Sequence, residues 1–135
     1  NDLLGGQVDF MCDQTTNTTS QIKGGKIRAY GVTTAGRVAS LSDLPTLQEA
    51  GLPGFEVGVW HGIYAPKGTP KAVIDKLTKA LAFALKDDTV KQRFGDLGTE
   101  PVAQKDVTPA ALRGLLKSEI DKWGPIIKKA GVYAD

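Results

Sequence analysis

Cysteine, histidine and methionine each occur once in these 135 residues. A lone Cys12 excludes an intrachain disulfide and any CxxC metal or redox motif. It sits in an apolar run, where a free thiol serves as a small hydrophobe. His61 has no second histidine and no nearby cysteine, which leaves too few ligands for zinc. No metal, no cofactor and no catalytic residue is therefore expected. No apolar stretch reaches the roughly 18 residues of a membrane span. Neither GxxxxGK[ST] nor GxGxxG occurs, so the glycines of "GGQVDF" and "GLPGFEVG" build no phosphate loop. The carboxylates are scattered, with no pair set up as acid and base. Seventeen Lys and Arg against fifteen Asp and Glu give a net charge of +2, and the lysines form no dense block. That argues against a nucleic-acid partner. No secretory signal is visible. The chain opens on "NDLLGG" without an initiator Met and reads as a piece of something longer.

What is present is the patterning of an α/β protein of single-domain size. "DLLGG" reads as a helix end closed by glycines. "QVDFMCD" (7–13) reads as a short buried strand through Val8, Phe10, Met11 and Cys12. A two-turn helix is expected from Thr16 or Asn17 to Lys23. "KIRAYGVTT" (26–34) alternates, with Ile27, Ala29 and Gly31 on one side and Arg28, Tyr30 and Val32 on the other. Residues 35–56 are rich in turn formers and carry one short helix near Thr46–Ala50. "FEVGVWHGIYAP" (55–66) is a second strand, with Val57, Val59, His61 and Ile63 on one face.

The remainder reads as helical. Thr69 and Pro70 open a helix whose stripe is Ile74, Leu77, Leu81 and Ala84. A shorter helix carries Val90, Phe94 and Leu97 and stops at Gly98. "EPVAQ" reads as a strand. Thr108 and Pro109 open a last helix with the stripe Leu112, Leu116, Ile120, Trp123 and Ile127. Pro125 predicts a kink or break in it.

One stretch invites chemistry. In open α/β sheets ligands bind where the carboxyl ends of strands lead into helices. Asp13-Gln14-Thr15-Thr16-Asn17-Thr18 occupies such a position. The free N–H groups and positive dipole end of the next helix suit a small carboxylate. The threonine hydroxyls and the Gln14 and Asn17 amides add neutral donors. Asp13 would accept from a hydroxyl, amine or water on the ligand. The plainer alternative is that Asp13 or Thr15 caps the helix.

Several segments together resemble the C-terminal part of the Bug (TctC-like) tripartite tricarboxylate transporter receptors. They are "NDLLGGQVDFMCD", the long stretch from Ile22 to Leu77, "LGTEPV" and "IDKWGPIIKKAGV". The most specific pieces are Asp43-Leu44-Pro45-Thr46, Glu49-Ala50-Gly51-Leu52-Pro53-Gly54, Ala65-Pro66 and Gly68-Thr69-Pro70.

The resemblance implies part of a type II-like periplasmic binding protein fold, without enzymatic activity. Residues 1–26 would belong to the second lobe. Residues 27–65 would hold two crossing strands, Ile27–Thr34 and Glu56–Ala65, with their connecting loop. Residues 66–135 would return to the first lobe. It further implies a periplasmic location, a small organic carboxylate as ligand and membrane transporter subunits as partners. The ligand loop of the second lobe maps to Asp13–Thr18, where Gln14 and the Thr-rich run are a variant. Thr33, Thr34, Trp60 and His61 could line the cleft near the crossing strands. Receptors of this family are about twice as long, and their N-terminal half carries the other ligand loop. If the chain is really this short, the alternative is a stand-alone homodimeric structural or interaction module that has lost transport.

Overall fold

The computed structural model describes residues 1–132. Within them the chain forms four α-helices: α1 (Thr15–Lys23), α2 (Lys71–Ala84), α3 (Asp88–Asp96) and α4 (Pro109–Ala130). Short 3-10 turns lie at Ala39–Leu41 and Gln104–Asp106. Two compact units divide the residues: Asn1–His61 with Lys86–Pro101, and Gly62–Leu85 with Val102 onward.

In the first unit the helices form where local signals predict them. Asp87 accepts a hydrogen bond from the Val90 N–H at 3.1 Å and so starts α3. Gly98, at φ +72°, follows its end. The 26–34 segment keeps its alternation, with Ile27, Ala29 and Gly31 half-buried between exposed Arg28 and Tyr30. Val32 departs from its expected side and is buried. It is pinned between two backbone bonds, donating to Pro45 O and accepting from Leu47 N, both at 2.9 Å. This is a single parallel bridge to Thr46. Thr33 then pairs with Val57. The Val57 N–H donates to Thr33 O at 2.9 Å, and Thr33 Oγ1 donates to Val57 O at 2.7 Å.

The expected strands otherwise do not pair. Residues 7–13 form no strand, bend at Gln7 and Asp9 and lie exposed, with Phe10 85% accessible and Cys12 in contact with solvent. The expectation of a buried strand is corrected here, because a strand needs a neighbour to take its N–H and C=O groups. No such ladder lies beside this run among the described residues. Val59, His61 and Ile63, expected to share one face of a strand, are likewise exposed. "EPVAQ" ends in the Gln104–Asp106 turn and forms no β-bridge among the described residues. The helix expected near Thr46–Ala50 is a single turn, closed by Ala50 N–H to Thr46 O at 3.0 Å. "DLLGG" is a turn, closed by Gly5 N–H to Asn1 O at 2.8 Å.

In the second unit α2 begins at Lys71, with Pro70 in the cap position and no side-chain cap. Thr69, expected as the cap, instead donates from Oγ1 to Pro66 O at 2.8 Å. Thr108 does cap α4, accepting from Ala111 N–H at 3.1 Å. The helix runs without a break past Pro125 to Gly131, which takes the left-handed conformation. Gly62 lies against α4 so closely that a Cβ there would sit 2.9 Å from Leu112 Cδ1. The buried apolar residues are Leu85 and Val107. The helical stripes stay largely open. Neither α2 nor α4 has a buried residue; Leu77, Ile120 and Ile127 are exposed, and Trp123 is half-buried. Amphipathic spacing gives each helix a side that prefers burial, but does not supply what buries it.

Candidate functional site

Residues 13–18 lead into α1 and form its first turn. Gln14 holds the cap position with extended backbone (φ −76°, ψ 142°), and no side chain caps the turn. Asp13 does not reach forward over the helix end. Its Oδ1 accepts from the Gln14 N–H at 2.7 Å and from Asn17 Nδ2 at 3.1 Å. Asp13 is thereby fixed beside the turn, while Oδ2 takes no hydrogen bond among the described residues. The first N–H groups of α1, those of Thr15 and Thr16, remain open at the positive end of the helix.

The threonines divide into two groups. Thr15 Oγ1 donates to Gly98 O at 2.8 Å, and Thr18 Oγ1 donates to Gln14 O at 3.0 Å. These hydroxyls are committed to the protein. Thr16 Oγ1 makes only a long 3.5 Å contact to Gln14 Oε1. Gln14 and Thr16 are half-buried, whereas Asp13 and Asn17 are exposed. The side chains most available to a ligand are those of Asp13, Gln14 and Thr16, with Asn17 bracing Asp13.

The four residues expected along the cleft are less unified. The Thr33 hydroxyl is spent on Val57 O. Thr34 Oγ1 donates to Gly36 O at 2.7 Å. Trp60 is half-buried and His61 exposed. Among the described residues no hydrogen bond or ring contact links any of the four to Asp13–Thr18. No cluster of three or more His, Cys, Asp and Glu suited to a metal occurs among the described residues.

A second built feature lies in the 35–56 stretch. Thr46 and Glu49 cap each other: Glu49 Oε2 accepts from the Thr46 N–H at 2.7 Å, and Thr46 Oγ1 accepts from the Glu49 N–H at 3.1 Å. Arg37 Nε spans both Glu49 oxygens at 3.2 and 3.0 Å, and Arg37 also donates to Ser42 O at 3.0 Å. The Thr46 N–H, with the Arg37 guanidinium, holds the Glu49 carboxyl below its usual range. This arrangement fixes the loop that presents Thr46 to Val32. Its signal in the sequence is Thr-x-x-Glu, the reciprocal capping pattern.

Comparison with known proteins gives a consistent picture. Residues 1–132 match the family described as tripartite tricarboxylate transporter family receptor. A curated relative from Agrobacterium vitis, the "UPF0065 protein in the TAR-I ttuE-ttuC' intergenic region", is 51% identical over 130 residues, covering 96% of this chain and 38% of the relative. The solved periplasmic binding protein BugD superposes with a TM-score of 0.91 at 52% identity, covering 100% of this chain and 45% of BugD. MatC from Rhodopseudomonas palustris with bound malate gives 0.87 at 40% identity, covering 93% and 43% of the two chains. R. palustris Rpa4515 with adipate gives 0.83 at 33% identity, covering 96% and 42%. The chain thus spans less than half the length of these proteins. Across that shared span the fold is that of part of a periplasmic binding protein. No helix of the described residues is long and apolar enough to cross a membrane.

Proposed function

We propose a function on one premise: this chain belongs to the tripartite tricarboxylate transporter receptor family, whose pattern it matches from residue 1 to residue 132. The family is one of solute-binding receptors. The chain acts as part of a periplasmic receptor that captures a small organic carboxylate and delivers it to membrane transporter subunits. Residues 1–26 lie in the second lobe and residues 27–65 cross between lobes; Lys86–Pro101, which pack in one compact unit with Asn1–His61, are assigned to the lobe of α1. Capture works by closure of the two lobes on the ligand, with no bond made or broken.

The observation that carries this reading is the uncapped first turn of α1. A ligand carboxylate takes the Thr15 and Thr16 N–H groups, where the helix dipole favours negative charge. Gln14 and the Thr16 hydroxyl add neutral donors. Asp13 stands beside the anion rather than facing it, and its unbonded Oδ2 selects ligands with a donor near the carboxylate. Malate has such a hydroxyl and adipate has none. The relatives that carry these acids make both reasonable first probes.

Calorimetric titration of the complete receptor polypeptide with malate and with adipate tests the reading. Asp13→Ala is expected to weaken malate about tenfold, the worth of one charge-assisted hydrogen bond. It should leave adipate nearly unchanged. No binding of either acid, or of other small dicarboxylates, by the wild type would sink the carboxylate reading. Equal loss for both acids would remove Asp13 from selection. The open stripe on α4 also favours a second reading, a homodimeric interaction module. Light scattering that finds a dimer lacking carboxylate affinity would select it.

A further inference from the structure

The α1 turn rests on a seat that the clamp itself does not contain. Thr15 Oγ1 donates to Gly98 O at 2.8 Å across 83 positions of sequence. One turn further on, Thr19 is 2% accessible; its hydroxyl donates to Thr15 O at 2.8 Å and approaches Leu97 O at 3.4 Å. Gly98 meets this face directly. A Cβ built on it would lie 2.6 Å from Thr19 Oγ1, 3.0 Å from Thr15 Cβ and 3.2 Å from Ser40 Oγ. Ser40 Oγ is itself buried without a partner among the described residues. Three segments far apart in sequence therefore converge on one glycine, and none has slack.

We propose that Gly98 is a positioning residue for ligand capture: the Leu97–Gly98 turn after α3 sets the height and direction of the first turn of α1, and with it the aim of the Thr15 and Thr16 N–H groups. The inference rests on the carboxylate reading for its effect on affinity, but not for the seat. Two demands on residue 98 can be separated. The left-handed backbone at φ +72° disfavours any side chain. The contact with Thr15, Thr19 and Ser40 disfavours volume. Gly54 supplies the control, because it has φ +75° in the same unit and nothing within 4 Å of a Cβ.

The experiment compares Gly98→Ala, Gly54→Ala and the double variant Gly98→Ala/Thr19→Ala in the complete receptor polypeptide. Malate titration is read beside amide hydrogen exchange at Thr19–Lys23. Gly98→Ala is expected to weaken malate about tenfold, a typical consequence of overpacking, and to speed exchange in α1. Gly54→Ala should do neither. Removing Thr19 Oγ1 in the double variant should recover part of the affinity. Equal effects of the two glycine variants would overturn the proposal, as would unchanged exchange in α1. If Gly98→Ala does not fold, Thr15→Val cuts the tether without adding volume. It should shift exchange and affinity the same way, and wild-type behaviour would overturn the seat. Failure of the wild type to bind any dicarboxylate would remove the carboxylate reading, while the exchange data would still decide the seat.

Discussion

The two units are held by different means. In Asn1–His61 with Lys86–Pro101, the most buried side chains are polar: Thr19 at 2% and Thr46 at 3% accessible. Both are locked by hydrogen bonds to groups on the backbone. In the other unit, helices α2 and α4 are set by local devices such as Thr108 at the start and Gly131 at the end of α4. Their apolar stripes hold no buried residue: Leu77 is 49% and Ile120 60% accessible, and Phe83, beside the α2 stripe, is 80% accessible. The first unit adds polar knots to the Asp87 cap of α3, whereas in the second the only side-chain cap among the described residues is that of Thr108 on α4. A knot fixes where segments lie, which a site requires. A cap fixes only that a helix exists.

The comparison can be broken in three ways, taken from the largest expected effect down. Thr46→Ala removes the acceptor for the Glu49 N–H in a buried place and should cost about 1–2 kcal/mol. Chemical denaturation monitored by circular dichroism reads it; a cost near zero would mean the knot is ornamental. Glu49→Gln should lower the melting temperature modestly at neutral pH. Because the folded carboxyl titrates below its unfolded value, its stabilisation is present above the ordinary carboxylate range and is lost as pH falls through the depressed value. Melting curves of wild type and variant should therefore converge in acid, and a gap that widens there would contradict this sign. Phe83→Ser should change stability by less than about 0.5 kcal/mol in this chain, despite the loss of a large apolar group, because the ring has little to leave. A larger loss would show that the face of α2 carrying Phe83 is covered after all.

How much could be read beforehand follows the same division. Helices α1, α3 and α4 were legible because their signals are local: the polar run that opens α1, Gly98 after α3, and Thr108-Pro109 at the start of α4. Pro125 did not break α4, since losing one backbone bond in 22 residues is tolerable when caps hold both ends. The apolar run 7–13 failed as a buried strand because pairing is a property of two segments, and no partner lies beside it among the described residues. At the candidate site, the polar run Asp13–Thr18 at the start of α1 was legible from composition and helix polarity. The division of labour among its threonines was not. Thr15 and Thr16 are identical neighbours, yet one is tied to a carbonyl 83 residues away and the other makes only a long contact to Gln14. Gly98 announced itself only as a helix stop; its second role exists only in space.

The Thr15–Gly98 bond also has a meaning in time. It closes a loop of 83 residues, whereas the Arg37–Glu49 contact closes one of 12. By chain entropy alone the longer closure costs about 2 kcal/mol more. The loop around Thr46 can therefore form early and alone, while the seat under α1 waits for the return of residues 86–101. The surface that would grip a ligand is thus secured through the longer of these two closures, and its readiness depends on the return of residues 86–101.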